Sequence, residues 1–296
     1  MAPVTGPGDG GARRRGRPWL IALIIAWALV LVAVSVWSVG HERASVPEQR
    51  DIAQALPALQ KAAGVLFAAA GGPGRAVILG ELTLSKDCRV TPVRSGIAAV
   101  RDVTVHVRAG EARATLEAIA AELPESYQAD VAAFRGGSEL SLHADAGNFI
   151  GIDAEVKAAA STLTVQVTTG CRPLGSGELN RADPPAGPAP AVLSELLGVL
   201  GAQPVAFRSG AAAGAAGAGG TQAVRVVACP AGGVAGTFVV DGVPTPGDLR
   251  QRLRRFSSGE GAVRDEESVH AYRAGADSVV VVPDGPRLRV SASTSC

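Results

Sequence analysis

Two histidines are the residues of this sequence best suited to do chemistry, because they occur in nearly the same four-residue context. His143 lies in Ser-Leu-His-Ala and His270 lies in Ser-Val-His-Ala. Because an imidazole titrates near neutral pH, each histidine can bind a ligand or transfer a proton. Asp145 is the acidic neighbour of the first histidine, and Tyr272 stands at the matching place beside the second. The alternative interpretation is that both are strand residues that each make one structural hydrogen bond.

No catalytic motif accompanies the histidines. The sequence contains neither G-x-S-x-G nor H-E-x-x-H, and the glycine-rich run at 210–220 lacks the Lys-Ser/Thr end of a phosphate-binding loop. The acidic run at 265–267 is an alternative cation site, but contiguous loop carboxylates are usually solvated. The arginines within 250–255 are predicted to form the solvent-facing stripe of a helix rather than a site for an acidic polymer. We therefore predict a binding protein with no catalytic residues, no metal and no cofactor, and retain as the alternative a hydrolase or transferase built around His143 or His270.

Cysteine placement favours disulfide bonds over a metal site. No C-x-x-C motif is present, which disfavours zinc. Four cysteines allow three pairings, and one pairing follows if each of two repeated units closes its own bridge. That condition joins Cys88 to Cys171 and Cys229 to Cys296.

The elements that must position these residues are predicted to form two copies of one α+β unit. Val103, Val105 and Val107 alternate along a half-buried strand, with His106 on its solvent-facing side. Leucines at helical spacing begin the second copy at Leu193. The predicted boundaries are 46–175 for the first unit, 176–190 for a Pro-rich linker and 191–296 for the second unit.

The predicted fold of each unit is a helix, two strands, a second helix and two further strands. This order, α-β-β-α-β-β, is a circular permutation of the ferredoxin-like plan. We therefore expect two helices to cover one face of a mainly antiparallel, four-stranded sheet. Together with an N-terminal span, the architecture resembles the membrane-anchored assembly subunits of pilus and secretion machines, although no motif assigns the chain to that family. The resemblance implies no function.

An uncharged, apolar stretch at 19–39 is predicted to be a transmembrane helix. At about 1.5 Å per residue it can cross a hydrocarbon core of about 30 Å, and Trp19 and Trp37 suit the two interfaces. Because arginines cluster within 13–17, residues 1–18 are expected to be cytoplasmic and the remainder extracytoplasmic. A cleaved signal peptide is the main alternative, although its apolar core would be only about 7–15 residues long. A paired-arginine export signal is a further alternative.

Composition limits the partners. The formal net charge is +1 and the basic residues beyond the N-terminal cluster are dispersed, so we predict no nucleic-acid binding. Arginine outnumbers lysine, and alanine and glycine are abundant, which favours a GC-rich bacterial source. We therefore expect a single-pass protein at the outer face of a bacterial cell membrane that binds an envelope protein or a wall component. A sensor is disfavoured because the predicted cytoplasmic tail holds no signalling domain.

Overall fold

The computed structural model describes residues 18–41, 50–92, 94–203, 205, 207, 215–217, 220–257 and 261–296. The predicted cytoplasmic tail and most of the glycine-rich run lie outside the described residues. The chain divides into one unit at 1–45 and a second, compact unit at 46–296.

The first unit contains the helix α1 (Pro18–His41). Its stretch Trp19–Trp37 has a mean hydropathy of 2.8 and is not buried against protein. This helix is therefore long and apolar enough to be a membrane anchor or a signal peptide. The helix α2 (Ile52–Ala70) of the compact unit meets the same criterion of length and composition, but 61% of it is buried, as expected for a core helix.

The first half of the compact unit combines α2 and one further helix with six strands. Asp51 caps α2, because its Oδ1 accepts a hydrogen bond from the Gln54 amide at 2.9 Å. The elements that follow are β1 (Ala76–Thr91), β2 (Arg94–His106), α3 (Ala112–Glu122), β3 (Asp130–Phe134), β4 (Glu139–Asp145), β5 (Gly151–Lys157) and β6 (Thr162–Arg172). The strands form an antiparallel sheet, the first sheet, in the order β1-β2-β6-β5-β4-β3.

The second half has the same order of elements apart from one additional strand, β7, and its helices are shorter. It contains α4 (Ala191–Leu200), β7 (Ala215–Gly217), β8 (Gly220–Ala228), β9 (Val234–Pro244), α5 (Leu249–Ser257), β10 (Ala262–Glu266), β11 (Val269–Ala274), β12 (Asp277–Asp284) and β13 (Arg287–Ser293). The strands form an antiparallel second sheet in the order β7-β8-β9-β13-β12-β11-β10. Apart from the short β7, this is the strand order of the first sheet.

The α+β class and the two antiparallel sheets are as predicted, but the strand count is not. Each half carries four strands after its second helix, where the predicted α-β-β-α-β-β plan has two. The strand β2 also lies antiparallel to β6, and a meander of further strands continues beyond β6. The four-stranded, ferredoxin-like plan is therefore not confirmed.

Each sheet has an inner face, covered by the helices of its half, and an opposite, outer face. On the inner face of the first sheet, Leu59 and Leu66 of α2 share one buried cluster with Val103 and Val165. On the inner face of the second sheet, Leu196 and Leu253 belong to a second buried cluster with Phe238, Tyr272 and Val290. Burial of such aliphatic side chains stabilises the fold by about 1.5–3 kcal/mol each.

The two sheets pack against each other within the compact unit. Ala76 and Ile78 on the outer face of β1 contact Ala271 and Val280 on the outer face of the second sheet. The amide of Leu79 also donates a buried hydrogen bond of 2.8 Å to Oγ1 of Thr237 in β9. The two halves are thus joined by both apolar and polar contacts.

A disulfide bond closes each half. Cys88 in β1 is bonded to Cys171 in β6, with 5.8 Å between their Cα atoms. Cys229, which follows β8, is bonded to Cys296, which follows β13, with a Cα separation of 5.4 Å. These are the pairs that the repeat argument selects, and two disulfides indicate an oxidising, extracytoplasmic compartment.

Candidate functional site

His143 lies on the outer face of β4 with its side chain 69% exposed. Its Nδ1 is 2.6 Å from Oδ1 of Asp153 in β5, the strand next to it. Asp145, its neighbour in sequence, instead accepts a hydrogen bond from the amide of Gly147 at 2.8 Å. The acidic partner of His143 is therefore a cross-strand residue, because side chains on one face of a sheet meet their neighbours across the strands.

His143 belongs to a straight row of polar side chains that crosses five strands of the first sheet. Each member is directly paired with the next, and we call the set the polar row: Asp130, His143, Asp153, Gln166 and Asp102. At the β2 end of the polar row, Oδ1 of Asp102 is buried and has no hydrogen-bond partner among the described residues. The row thus combines an exposed imidazole with three carboxylates, one of which has an unfilled acceptor.

Beside the polar row, the strands β5 and β6 separate. Their ladder runs from Gly151–Thr168 to Asp153–Gln166 and stops there. Beyond it lies an open depression of about 300 Å³, lined by Glu155, Val156, Lys157, Ala159, Ala160, Thr162 and Thr164. The outer face of the first sheet therefore offers a polar surface with a shallow recess.

The geometry of His143 suits hydrogen bonding and proton transfer. When the ring is neutral, Nδ1–H donates to the Asp153 carboxylate, which leaves Nε2 as an acceptor. A carboxylate that orients an imidazole in this way is also part of catalytic dyads and triads. The pair alone can bind a partner that carries hydrogen-bond donors or positive charge.

His270 has a similar pair in a different setting. Its Nδ1 is 2.7 Å from Oδ1 of Asp265 in β10, but its side chain is only 3% exposed. It lies on the inner face of β11, on the same side as Tyr272, whose ring stacks on Phe256 of α5 with centroids 5.6 Å apart. His270 is therefore buried beside the second core, whereas His143 is exposed on the sheet surface.

The strand registers show how the two histidines correspond. Counted back from the cysteines that follow them, Val167 in β6 matches Ala292 in β13. The cross-strand pairs then give the matched series Val167–Ile152–Ala144 in the first sheet and Ala292–Val279–Tyr272 in the second. Tyr272 consequently matches Ala144, and His270 matches Leu142.

The expected equivalence of His143 and His270 is therefore wrong by one residue. A shift of one residue moves a side chain to the opposite face of a sheet, which explains why one histidine is exposed and the other buried. The residue that matches His143 is Ala271. The similarity of the two four-residue segments does not reflect the same place in the fold.

The second sheet has an apolar counterpart of the polar row. Its matched members are Ala271, Val280, Ser291 and Val239, all between 0% and 3% exposed. They lie on the outer face that packs against β1 of the first half. The outer face of the first sheet remains polar, and the outer face of the second is used to join the halves.

Several of the remaining charged candidates are paired within the protein. Glu266 of the acidic run forms two hydrogen bonds with Arg264, and these hold the pKa of its carboxyl below the ordinary value. In α5, Arg252 is bound to Asp248 at 2.6 Å, and Arg255 lies over the ring of Phe256. Within the described ranges no group of three or more His, Cys, Asp or Glu residues is arranged to hold a metal ion.

Three basic residues occupy positions that the sequence patterns do not reveal. His106, predicted to face solvent, is 6% exposed, and burial together with the charge of Arg264 lowers its pKa to about 4. Arg101 and Arg172 are fully buried, although both belong to strands. Their burial depends on contacts from distant parts of the chain, so no local pattern could have identified them.

The comparisons with known proteins assign no family. No family model matches the chain, and no curated protein matches it. Among solved structures, a DUF4853 family protein from Actinomyces odontolyticus is similar, with 16% identity, a TM-score of 0.31, and coverage of 47% of this chain and 77% of that one. A TM-score of this size supports no argument about fold or function.

Proposed function

We propose that this chain is a single-pass, membrane-anchored, extracytoplasmic binding module of a bacterial cell envelope. In this proposal α1 is the uncleaved anchor, the residues before it are cytoplasmic, and the compact unit arose by duplication of one disulfide-closed module. The shared strand order of the two sheets and their matching disulfides support the duplication. The length and apolarity of α1 support the anchor.

The observation that carries the binding role is the contrast between the polar row and its apolar counterpart. The outer face of the first sheet is polar along this row, and the matched part of the outer face of the second sheet is apolar. The apolar part is buried against β1 of the first half. The polar row lies on the matched face that stays open. Its exposed carboxylates at Asp130 and Asp153 suit a partner with cationic or hydrogen-bond-donor groups, such as a basic segment of an envelope protein or the amino groups of a wall component.

Photocrosslinking in intact cells tests this role. A photoreactive amino acid replaces Gln166 in the polar row, and a matched control replaces Glu117, an exposed residue of α3. We expect a defined crosslinked product from position 166 that is absent from position 117 and is weakened by Asp153→Asn. Equal products from both positions, or none from position 166, would reject the polar row as the binding surface.

A hydrolase or transferase is the second candidate, and the short His143–Asp153 contact is the observation in its favour. The substitution His143→Gln keeps a hydrogen-bonding side chain but removes proton transfer at neutral pH. If the chain is an enzyme, cells that carry only His143→Gln show the same defect as cells that lack the protein, while crosslinking at position 166 persists. If it is a binding module, cells that carry His143→Gln show the defect only when crosslinking at position 166 is also lost.

A further inference from the structure

Two exposed apolar side chains lie at one corner of the compact unit. Phe149, in the loop between β4 and β5, is 51% exposed, and Leu174, which follows β6, is 57% exposed. Arg172 connects the two segments, because its Nη2 donates to the carbonyl oxygens of Asn148 at 2.7 Å and Phe149 at 3.0 Å. We call Phe149, Leu174 and Arg172 the apolar corner.

The backbone of the loop holds Phe149 outward in an unfavourable conformation. Gly147, Asn148 and Phe149 have φ values of 82°, 55° and 57°. Glycine and asparagine tolerate this left-handed region, but a bulky residue such as phenylalanine rarely occupies it. The guanidinium of Arg172 also donates to the Thr169 carbonyl at 2.7 Å, so it connects the loop to the end of β6. Phe149 belongs to none of the three buried apolar clusters of the described residues, and a half-exposed ring in a strained position points to a role outside the fold.

The apolar corner lies where the chain enters the compact unit. Arg50 donates to the Asn148 side chain at 2.9 Å, and the amide of Ile52 donates to the carbonyl of Pro173 at 3.0 Å. Only residues 42–49 separate α1 from Arg50. Fully extended, a segment of this length reaches at most about 30 Å. In a membrane-anchored chain, this segment therefore limits how far the corner can move from the end of the span.

We propose that the apolar corner is a membrane-contact site, at which Phe149 and Leu174 enter the interfacial region of the bilayer. The inference rests on the anchorage proposed above. Because the tether keeps the corner at a high effective concentration near the lipid, two side chains suffice for contact that would be too weak in a free domain.

The charges around the apolar corner are compatible with a lipid surface. Arg50 is exposed and suits anionic headgroups. The nearby carboxylates are engaged in local structure, since Asp51 caps α2 and Asp145 accepts the amide of Gly147.

Spin labelling of the full chain in vesicles tests the proposal. All four native cysteines are in disulfides, so a thiol-specific nitroxide attaches to an introduced cysteine. The variants are Phe149→Cys and Leu174→Cys, with Val234→Cys as the matched control, because Val234 is an exposed apolar residue at the start of β9. Each labelled chain is reconstituted in phosphatidylglycerol and phosphatidylethanolamine vesicles, floated, and measured for accessibility to oxygen and to a water-soluble nickel chelate.

We expect the labels at 149 and 174 to show several-fold higher ratios of oxygen to nickel accessibility than the label at 234. If the chain floats and all three labels are equally open to the nickel chelate, the membrane contact is wrong while the anchorage stands. If the labels at 149 and 174 are protected from both reagents, a second copy of the chain covers the corner, and the membrane contact is again wrong. If the chain does not float, the anchorage and the membrane contact both fail.

Discussion

Arg101 and Asp183 form a bidentate ion pair that connects the first sheet to the segment between the two halves. Both Nη atoms of the fully buried guanidinium lie 2.8 Å from carboxylate oxygens. The same carboxylate accepts the amide of Val226 in β8 at 2.8 Å, and Arg101 Nε also donates to the carbonyl of Gly80. One carboxylate thus holds together β2, the predicted linker and β8.

Asp183→Asn leaves the buried charge of Arg101 without its counter-ion, so we expect a loss of about 3–5 kcal/mol in the free energy of unfolding. Urea unfolding of the full chain in detergent, followed by far-UV circular dichroism, measures it. The control is Asp241→Asn, which breaks the exposed pair with Arg289 and is expected to cost at most about 1 kcal/mol. Similar losses in the two variants would show that the Arg101–Asp183 pair does not stabilise the junction.

Removal of either disulfide is expected to destabilise the compact unit to a similar degree. The bridges close separations of 83 and 67 residues, and the chain entropy of the unfolded state depends only logarithmically on that length. Double Cys→Ser variants of each pair should each lose about 2–4 kcal/mol in unfolding free energy. Mass spectrometry of unreduced peptides gives the pairing directly, and a peptide that links Cys171 to Cys229 would contradict it.

His106 should make stability depend on pH. Its pKa is lowered from 6.5 to about 4 in the folded protein, so between these values the unfolded chain binds the additional proton. The contribution is therefore fully present above pH 6.5 and is lost as the pH falls to about 4, by about 3 kcal/mol. Unfolding free energies of His106→Gln should decline less over this range than those of the unsubstituted protein. The exposed His143→Gln serves as the control, and equal slopes for both variants would argue against the buried, neutral state of His106.

Tyr272→Phe should be tolerated or stabilising. The hydroxyl is buried and has no hydrogen-bond partner among the described residues, and the apolar surroundings raise its pKa. Removing an unsatisfied polar group while the ring still stacks on Phe256 should leave the unfolding free energy unchanged or raise it by about 1–2 kcal/mol. Thermal unfolding measures the change. A clear decrease would mean that the hydroxyl bonds to a water or ligand in solution.

Phe149→Asn separates stability from membrane contact. Asparagine tolerates the left-handed conformation better than phenylalanine, so we expect the unfolding free energy to stay equal or to increase by up to about 1 kcal/mol. The same variant, carrying the label at Leu174→Cys, should show lower oxygen accessibility in vesicles. A loss of stability would indicate that the ring packs within the fold.

Local sequence patterns were sufficient to predict the α+β class, the apolar helix α1 and the core helix α2. Strands with strict alternation, such as the valines of β2, were also predictable, because periodicity and composition act over a few neighbouring residues. The short strands β3 and β10 were missed, and so was β5. The strand β3 is mostly exposed and carries no strong alternating signal, whereas Ile152, Ala154 and Val156 of β5 alternate with charged residues, so β5 could have been predicted from its pattern.

Only the tertiary structure decided which side each functional candidate faces. His143 and His270 differ by one residue of register, which short sequence similarity cannot detect but which reverses exposure. His106 is buried through contacts with the second half, where Arg264 binds Thr162 across 102 residues of sequence. Burial is a property of chain segments brought together from far apart, so the sequence by itself determined which elements form, and the packing of the two sheets decided which surface stays free for a partner.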